Sequence, residues 1–159
     1  MTTQYLNHPG LALAYRLEAD GATVVYASDH ELHAPALADG TGRIIGDDRR
    51  HAEFLANADL VIHDAQYVAS EYRSKIGWGH STIEYAIAVS RLAGAKRLAL
   101  THHDPTRTDA ALDAIMRTVR GRDGADELDV FAAAEGQSIA LGDSAQKPAA
   151  GGRGRRAKP

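Results

Sequence analysis

The chain has 159 residues, 44% of them hydrophobic, which is enough for one domain with a real core. It has no twenty-residue apolar run to span a bilayer, and with no cysteine it forms neither disulfides nor thiolate metal sites. The formal net charge of −3 understates the acidity of the body, because residues 147–159 hold Lys147, Arg153, Arg155, Arg156 and Lys158 and no acid. An acidic body argues against nucleic acid as a general partner.

The N-terminus, MTTQYLNHPG, lacks a basic start and an apolar signal core, so a cytoplasmic protein is the default expectation. Leu11–Glu18 alternates as a half-buried strand does, Asp20-Gly21 is a two-residue turn signal, and Thr23–Ala27 is a β-branched strand; residues 11–27 therefore read as a hairpin. Ser28-Asp29-His30-Glu31 follow at the strand exit. Residues 32–47, with Pro35, Gly40, Gly42 and Gly46 and no period, read as a flexible loop. Asp48–Asn57 suits a short helix with His51, Phe54 and Leu55 on one side. Leu60–His63 is a strand of the fully buried type.

Val68–Lys75 fits a helical turn or two. Ser81-Thr82-Ile83-Glu84 reads as a capping box, and the helix behind it carries Ile83, Ala86, Ile87 and Ser90 on one face and stops at Gly94. Lys96–Leu100 is a second buried strand. Thr108 caps a helix through Arg120 whose inner face holds Leu112, Ile115, Met116 and Val119. Leu128–Phe131 and Gln137–Leu141 read as two closing strands around Glu135-Gly136. Hairpin-like pairs flanking an alternation of strand and helix indicate an α/β layered domain, with no internal repeat and no second domain. The tail QKPAAGGRGRRAKP has the composition of a disordered, basic, solubilising terminus.

Polar groups stand at the ends of these elements, where ligands collect in open α/β sheets. His8 precedes a Pro-Gly turn, and Asp29 leaves the hairpin. Asp64, ending an apolar strand, needs a hydrogen bond, an ion pair or a metal to offset its desolvation. His80, next to a helix N-terminus, can pair with such a carboxylate, which favours imidazolium and makes a proton donor. His102, His103 and Asp104 end the next strand, and neutral imidazole with carboxylate is the ligand set of zinc and related divalent ions. His30, His33 and His51 read as surface or loop residues; His103 reads as a support or a substrate contact, or equally as a residue with no part in the site.

Taken in order, the stretches LNHPGLALAYRLE, VVYASDHE, ADLVIHDAQY, GHST, KRLALTHHDP and FAAAEGQSIAL resemble the C-terminal half of a metallo-β-lactamase-fold hydrolase, nearest the phosphodiesterase and ribonuclease Z branch. The likeness spans roughly residues 6–141. It implies half of a four-layer αββα sandwich: a mixed sheet with helices on one face, the other face open. By the resemblance His8 is a ligand to the first metal, Asp29 bridges two metals, and His102 is a ligand to the second. His63-Asp64-Ala65-Gln66 resembles the family's His-Glu-Ala-Thr motif, so Asp64 becomes the partner of His80, which protonates the leaving group or holds the phosphate.

The family's main motif, His-x-His-x-Asp-His, has no counterpart; His30-Glu31-Leu32-His33 has the wrong spacing. Residues 1–143 are thus expected to form a partial domain lacking its N-terminal half, and 144–159 the disordered tail. The implied cofactor is a pair of Zn2+ ions, with Mn2+ as an alternative, held weakly or not at all by so few ligands. The implied function is metal-dependent hydrolysis, of phosphodiesters ahead of other small-molecule substrates, impaired in this length of chain. The alternative is a non-catalytic half-domain or remnant that pairs with another chain or with itself through the open sheet face.

Overall fold

The computed structural model describes residues 1–122 and 128–141. Six strands form one sheet in sequence order: β1 (Thr2–Tyr5), β2 (Leu13–Ala19), β3 (Ala22–Ala27), β4 (Leu60–Asp64), β5 (Arg97–Thr101) and β6 (Asp129–Ala132). β1, β2 and β3 pair antiparallel, and β3 through β6 run parallel. Four helices, α1 (Gly46–Phe54), α2 (Ala69–Tyr72), α3 (Ile83–Leu92) and α4 (Asp109–Arg122), fill the connections. The mixed α/β sheet is as expected. The basic tail, 144–159, lies outside the described residues.

The β2–β3 hairpin closes on Asp20 and Gly21, both in the left-handed region (φ 50° and 74°), which two-residue hairpin loops with the twist of flanking strands require. β1 is an addition to the sequence reading. Its TTQY run pairs Thr2–Tyr5 against Leu13–Arg16 and covers the outer edge of the hairpin.

Alternate residues sort the sheet into two faces. On one, Ala14, Val25, Ala27, Val61, Leu98, Leu100 and Val130 are buried in the core that takes Ala52, Leu55, Tyr85, Ala86, Val89 and Met116 from the helices. On the other, Tyr15 faces Tyr26, Tyr26 faces Ile62, Ile62 faces Ala99 and Ala99 faces Phe131 across successive strands. Tyr15, Leu17 and Tyr26 on this face are exposed.

Three local expectations are corrected. The N-cap of α3 is Thr82, whose hydroxyl accepts the Tyr85 N–H (3.1 Å); Ser81 instead donates to the His30 carbonyl (2.6 Å), and the Glu84 carboxylate takes the Ala69 N–H (3.0 Å). Tertiary partners outbid the local capping box. Residues 137–141 form no strand: the turn closes locally from Gln137 N–H to the Ala134 carbonyl (3.2 Å), and the segment then meets Arg97, whose guanidinium donates to the Ala140 carbonyl (2.9 Å). The 32–47 segment is pinned, because buried Asp48 accepts the His33 and Ala34 N–H groups (2.9 and 3.0 Å) and the Tyr85 hydroxyl (2.8 Å). No helix among the described residues is long and apolar enough to cross a membrane.

Candidate metal and phosphate site

The parallel register of β3, β4 and β5 explains why distant residues meet. Ala27 stands opposite His63, and Asp64 opposite Thr101, so the three strands end level with one another. Asp64 at the end of β4, with Asp29 and His102 just beyond β3 and β5, therefore arrive at one rim of the sheet. His80 reaches the same rim from the loop before α3, which is tied to the strand exit by the Tyr67 N–H to Ser81 carbonyl bond (3.1 Å) and the Ile83 N–H to Tyr67 carbonyl bond (2.8 Å). One ligand atom from each of Asp29, Asp64, His80 and His102 lies within 4.8 Å of all the others.

Two pairs make up this group. Asp64, fully buried, accepts four protein donors: the His80 Nδ1–H at 2.7 Å and the His30 N–H at 3.2 Å on one oxygen, the Gln66 N–H at 3.2 Å and the Ser81 N–H at 3.3 Å on the other. A carboxylate so saturated is a hydrogen-bonding partner first. Its bond to His80 raises the imidazole above its ordinary pKa, against the opposing effect of burial. The second pair, Asp29 Oδ1 and His102 Nδ1, stands 3.2 Å apart and is about a third exposed (33% and 37%). His102 takes a left-handed backbone (φ 58°), uncommon outside glycine, and its ring stacks on His80 with centroids 4.6 Å apart.

The family this fold points to implies a divalent metal, and the donor chemistry fits. Carboxylate oxygen and imidazole nitrogen are what zinc and its neighbours bind, and two ligands on a tetrahedral ion with bonds of about 2.1 Å sit roughly 3.4 Å apart. The Asp29–His102 spacing is close to that, and these two side chains open to solvent.

His8 lies outside the four-residue group. Its ring stands edge-on to His80 with centroids 5.7 Å apart, its Nδ1 takes the Gly10 N–H (3.0 Å), and it packs so closely on Gly79 that a Cβ there would run into the ring. His103 is half-buried with neither ring nitrogen hydrogen-bonded among the described residues, and burial, then Arg107 and His102, lower its pKa.

Sequence reasoning misplaced two residues and overlooked a third. His30 and His51, set aside as surface or loop residues, are fully buried with His63 beneath the rim. His63 Nδ1–H donates to the Asp64 carbonyl (2.6 Å), so its Nε2 accepts from His51 Nε2–H (2.9 Å). His30 Nδ1 accepts the Asn7 N–H (3.3 Å). Burial holds all three imidazoles below their ordinary pKa, which favours the neutral form. They offer a second group of nitrogens within 4.8 Å, but His30 and His51 stack face to face at 3.9 Å and 22°, so their in-plane lone pairs run alongside each other rather than converging. The trio reads as a hydrogen-bonded support for β4. The placing of His51 beside Phe54 and Leu55 on one helix side was a usable signal.

Glu31 is the overlooked residue. Buried, it accepts the Tyr72 hydroxyl (2.6 Å), the Gly77 N–H (2.8 Å) and the Gly79 N–H (2.7 Å), and so fixes the loop that presents His80. Only its place in the polar run at the β3 exit marked it.

Residues 2–103 match the model of the beta-lactamase superfamily domain. The chain belongs to that family. Among curated relatives, the ribonuclease Z of Geobacillus kaustophilus is 36% identical over 115 residues, 59% of this chain and 38% of that protein. The ribonuclease Z of Lactococcus lactis subsp. cremoris is 45% identical over 71 residues, 41% of this chain and 23% of that one. Among solved structures, the metallo-β-lactamase fold protein YhfI of Bacillus subtilis superposes with a TM-score of 0.57 at 24% identity, over 83% of this chain and 45% of that chain. The short form of human tRNase Z (ELAC1) gives 0.58 at 20%, over 88% and 42%. The fold is therefore metallo-β-lactamase-like and the sequence relatives are ribonucleases Z. The chain spans less than half the length of each of these proteins.

Proposed function

We propose that this chain supplies one wall of a metal-dependent phosphodiesterase that acts on RNA. The observation that carries it is the Asp64–His80 pair, 2.7 Å apart, set beside the Asp29–His102 pair on one rim. In this reading Asp29 and His102 hold divalent ions, zinc with manganese as the alternative, and His8 on the neighbouring loop is a further candidate ligand. An ion bound there would supply a hydroxide from water and polarise a phosphoryl oxygen. His80, whose protonated form the Asp64 bond favours, holds a phosphoryl oxygen and gives its proton to the departing oxygen. Asp64 does not leave its four donors; it keeps the imidazole oriented and charged.

RNA replaces the sequence-based expectation against nucleic acid. Net charge averages over the whole body and misses a site in which metal ions and one imidazolium meet the phosphate. Supporting the choice, the relatives reported above carry the name ribonuclease Z.

The test is hydrolysis of bis(p-nitrophenyl) phosphate and of a short RNA with added zinc or manganese. His80→Gln and His102→Ala should each lower turnover at least a hundredfold. Turnover indifferent to both would sink the proposal. A second reading, a half-domain that pairs with another sheet, is favoured by the exposed Tyr15, Leu17 and Tyr26, since sheets of this kind bury such a face against a second sheet. Its outcome is less than one metal per chain and no turnover until a partner is supplied.

A further inference from the structure

Two residues before His80 the chain carries its single tryptophan, and the loop around it is built rather than slack. Glu31 clamps the amides on either side of Trp78, those of Gly77 and Gly79, at 2.8 and 2.7 Å. The Trp78 N–H closes onto the Lys75 carbonyl (3.0 Å), and the Lys75 N–H onto the Tyr72 carbonyl (2.7 Å). Gly77 and Gly79 both have positive φ (86° and 92°), a backbone that side-chain-bearing residues rarely adopt. Yet the indole that this clamped turn presents is 56% exposed and packs into no core.

What the indole does touch is a cation. Lys75 Nζ lies 4.0 Å from the centroid of the Trp78 ring and 5.7 Å from that of Tyr67, and the Tyr67 ring is 6.3 Å from His80. A continuous path of ring, ammonium and ring thus leads from Trp78 to the imidazole of the site. A rigidly held, solvent-facing aromatic beside a lysine, next to a phosphate-handling group, is the arrangement by which proteins take single-stranded nucleic acid: bases stack on the ring and the cation meets the backbone.

We propose that Trp78 and Lys75 form a stacking platform for an unpaired nucleobase of the RNA substrate, next to the scissile phosphate held at His80. This rests on the RNA reading above and sharpens it: the substrate must present a single-stranded nucleotide beside the cleaved bond. The base lies on the face of the indole, and Lys75 turns from the ring to the neighbouring phosphate. Trp78 is a specificity and binding residue here; it takes no part in proton transfer.

Because Trp78 is the only tryptophan, its fluorescence reports on this platform alone. The experiment titrates the full chain with zinc against a fluorescein-labelled single-stranded hexaribonucleotide, reading anisotropy. An unlabelled hexamer and an abasic ribose-phosphate hexamer are titrated in parallel, reading Trp78 emission. The expected result is saturable quenching by the base-bearing RNA, little by the abasic one, and about tenfold weaker RNA binding for Trp78→Ala with most of the affinity kept by Trp78→Phe. Lys75→Met should weaken binding and flatten its salt dependence. Bound RNA with unchanged Trp78 emission, and equal affinity for wild type and Trp78→Ala, overturns the platform while leaving RNA as substrate. No change in anisotropy with any RNA overturns both.

Discussion

Glu31 is the sharpest place to perturb the site without touching a proposed ligand. Replacing it with glutamine keeps the shape and removes one acceptor. One carboxylate oxygen takes both the Tyr72 hydroxyl and the Gly77 N–H; the other takes the Gly79 N–H. With the glutamine oxygen in the first position, its NH2 faces the Gly79 N–H. With the amide turned over, the NH2 faces the Gly77 N–H. Either way one backbone donor is left against another donor, and an unsatisfied buried group costs about 1–3 kcal/mol. Losing the charge-assisted character of the remaining bonds adds to this, so Glu31→Gln should destabilise by about 2–3 kcal/mol. For a chain of this size that is roughly 5–10 °C in Tm. Tyr72→Phe, which leaves Glu31 both amides, should cost about 1 kcal/mol. Urea denaturation measures the stability, and hydrogen exchange of the Gly77 and Gly79 amides reads the loop directly. A Glu31→Gln protein within 0.5 kcal/mol of wild type, with both amides as protected as before, would refute the clamp.

Three further outcomes follow from the same geometry. In metal-free protein Asp64→Asn should lower the His80 pKa toward that of free histidine, as its largest raising cause is the Asp64 bond; an unchanged His80 titration by NMR would count against the pair. Gly79→Ala should destabilise by at least about 2 kcal/mol, because a Cβ meets the His8 ring and φ is 92°; wild-type melting would contradict that. The third concerns acid. Burial lowers the pKa of His30, His51 and His63 in the folded state while the unfolded chain binds protons near pH 6.5, so the trio's contribution to stability falls as pH drops below about 6.5, against the opposite contribution of His80, whose pKa is raised on folding. Each histidine contributes at most about 1.4 kcal/mol per pH unit, about 4 for the three. Urea midpoints of wild type and His51→Gln at pH 7.5 and 5.5 measure it: His51→Gln should reduce the loss on acidification, and an identical loss in both proteins would refute the reasoning.

Much of this was legible in the residues because it depends on short-range pattern. The hairpin at Asp20-Gly21, the buried strand ending in Asp64, the helix after Thr82 and the capped helix after Thr108 each follow from alternation, period or turn chemistry. So does the expectation that His8, Asp29, Asp64, His80 and His102 share a rim, since each stands at a strand end or a helix start; the structure groups the last four and leaves His8 beside them. Edges and competing partners were less legible. Residues 137–141 alternate well enough for a strand, but a ladder needs a free neighbour in register, which no local pattern encodes. Ser81 reads as a cap until the His30 carbonyl is beside it.

By itself, then, the order of motifs determined the family and the fold class, because each motif is a few adjacent residues whose type and spacing are local properties of the chain. The tertiary structure decided what distance and burial alone can decide. The level ends of β3, β4 and β5 bring Asp29 against His102. Four converging donors make Asp64 a partner of His80. Burial turns His30 and His51 from loop residues into supports, and three hydrogen bonds make Glu31 the residue that holds Trp78 and His80 where they stand.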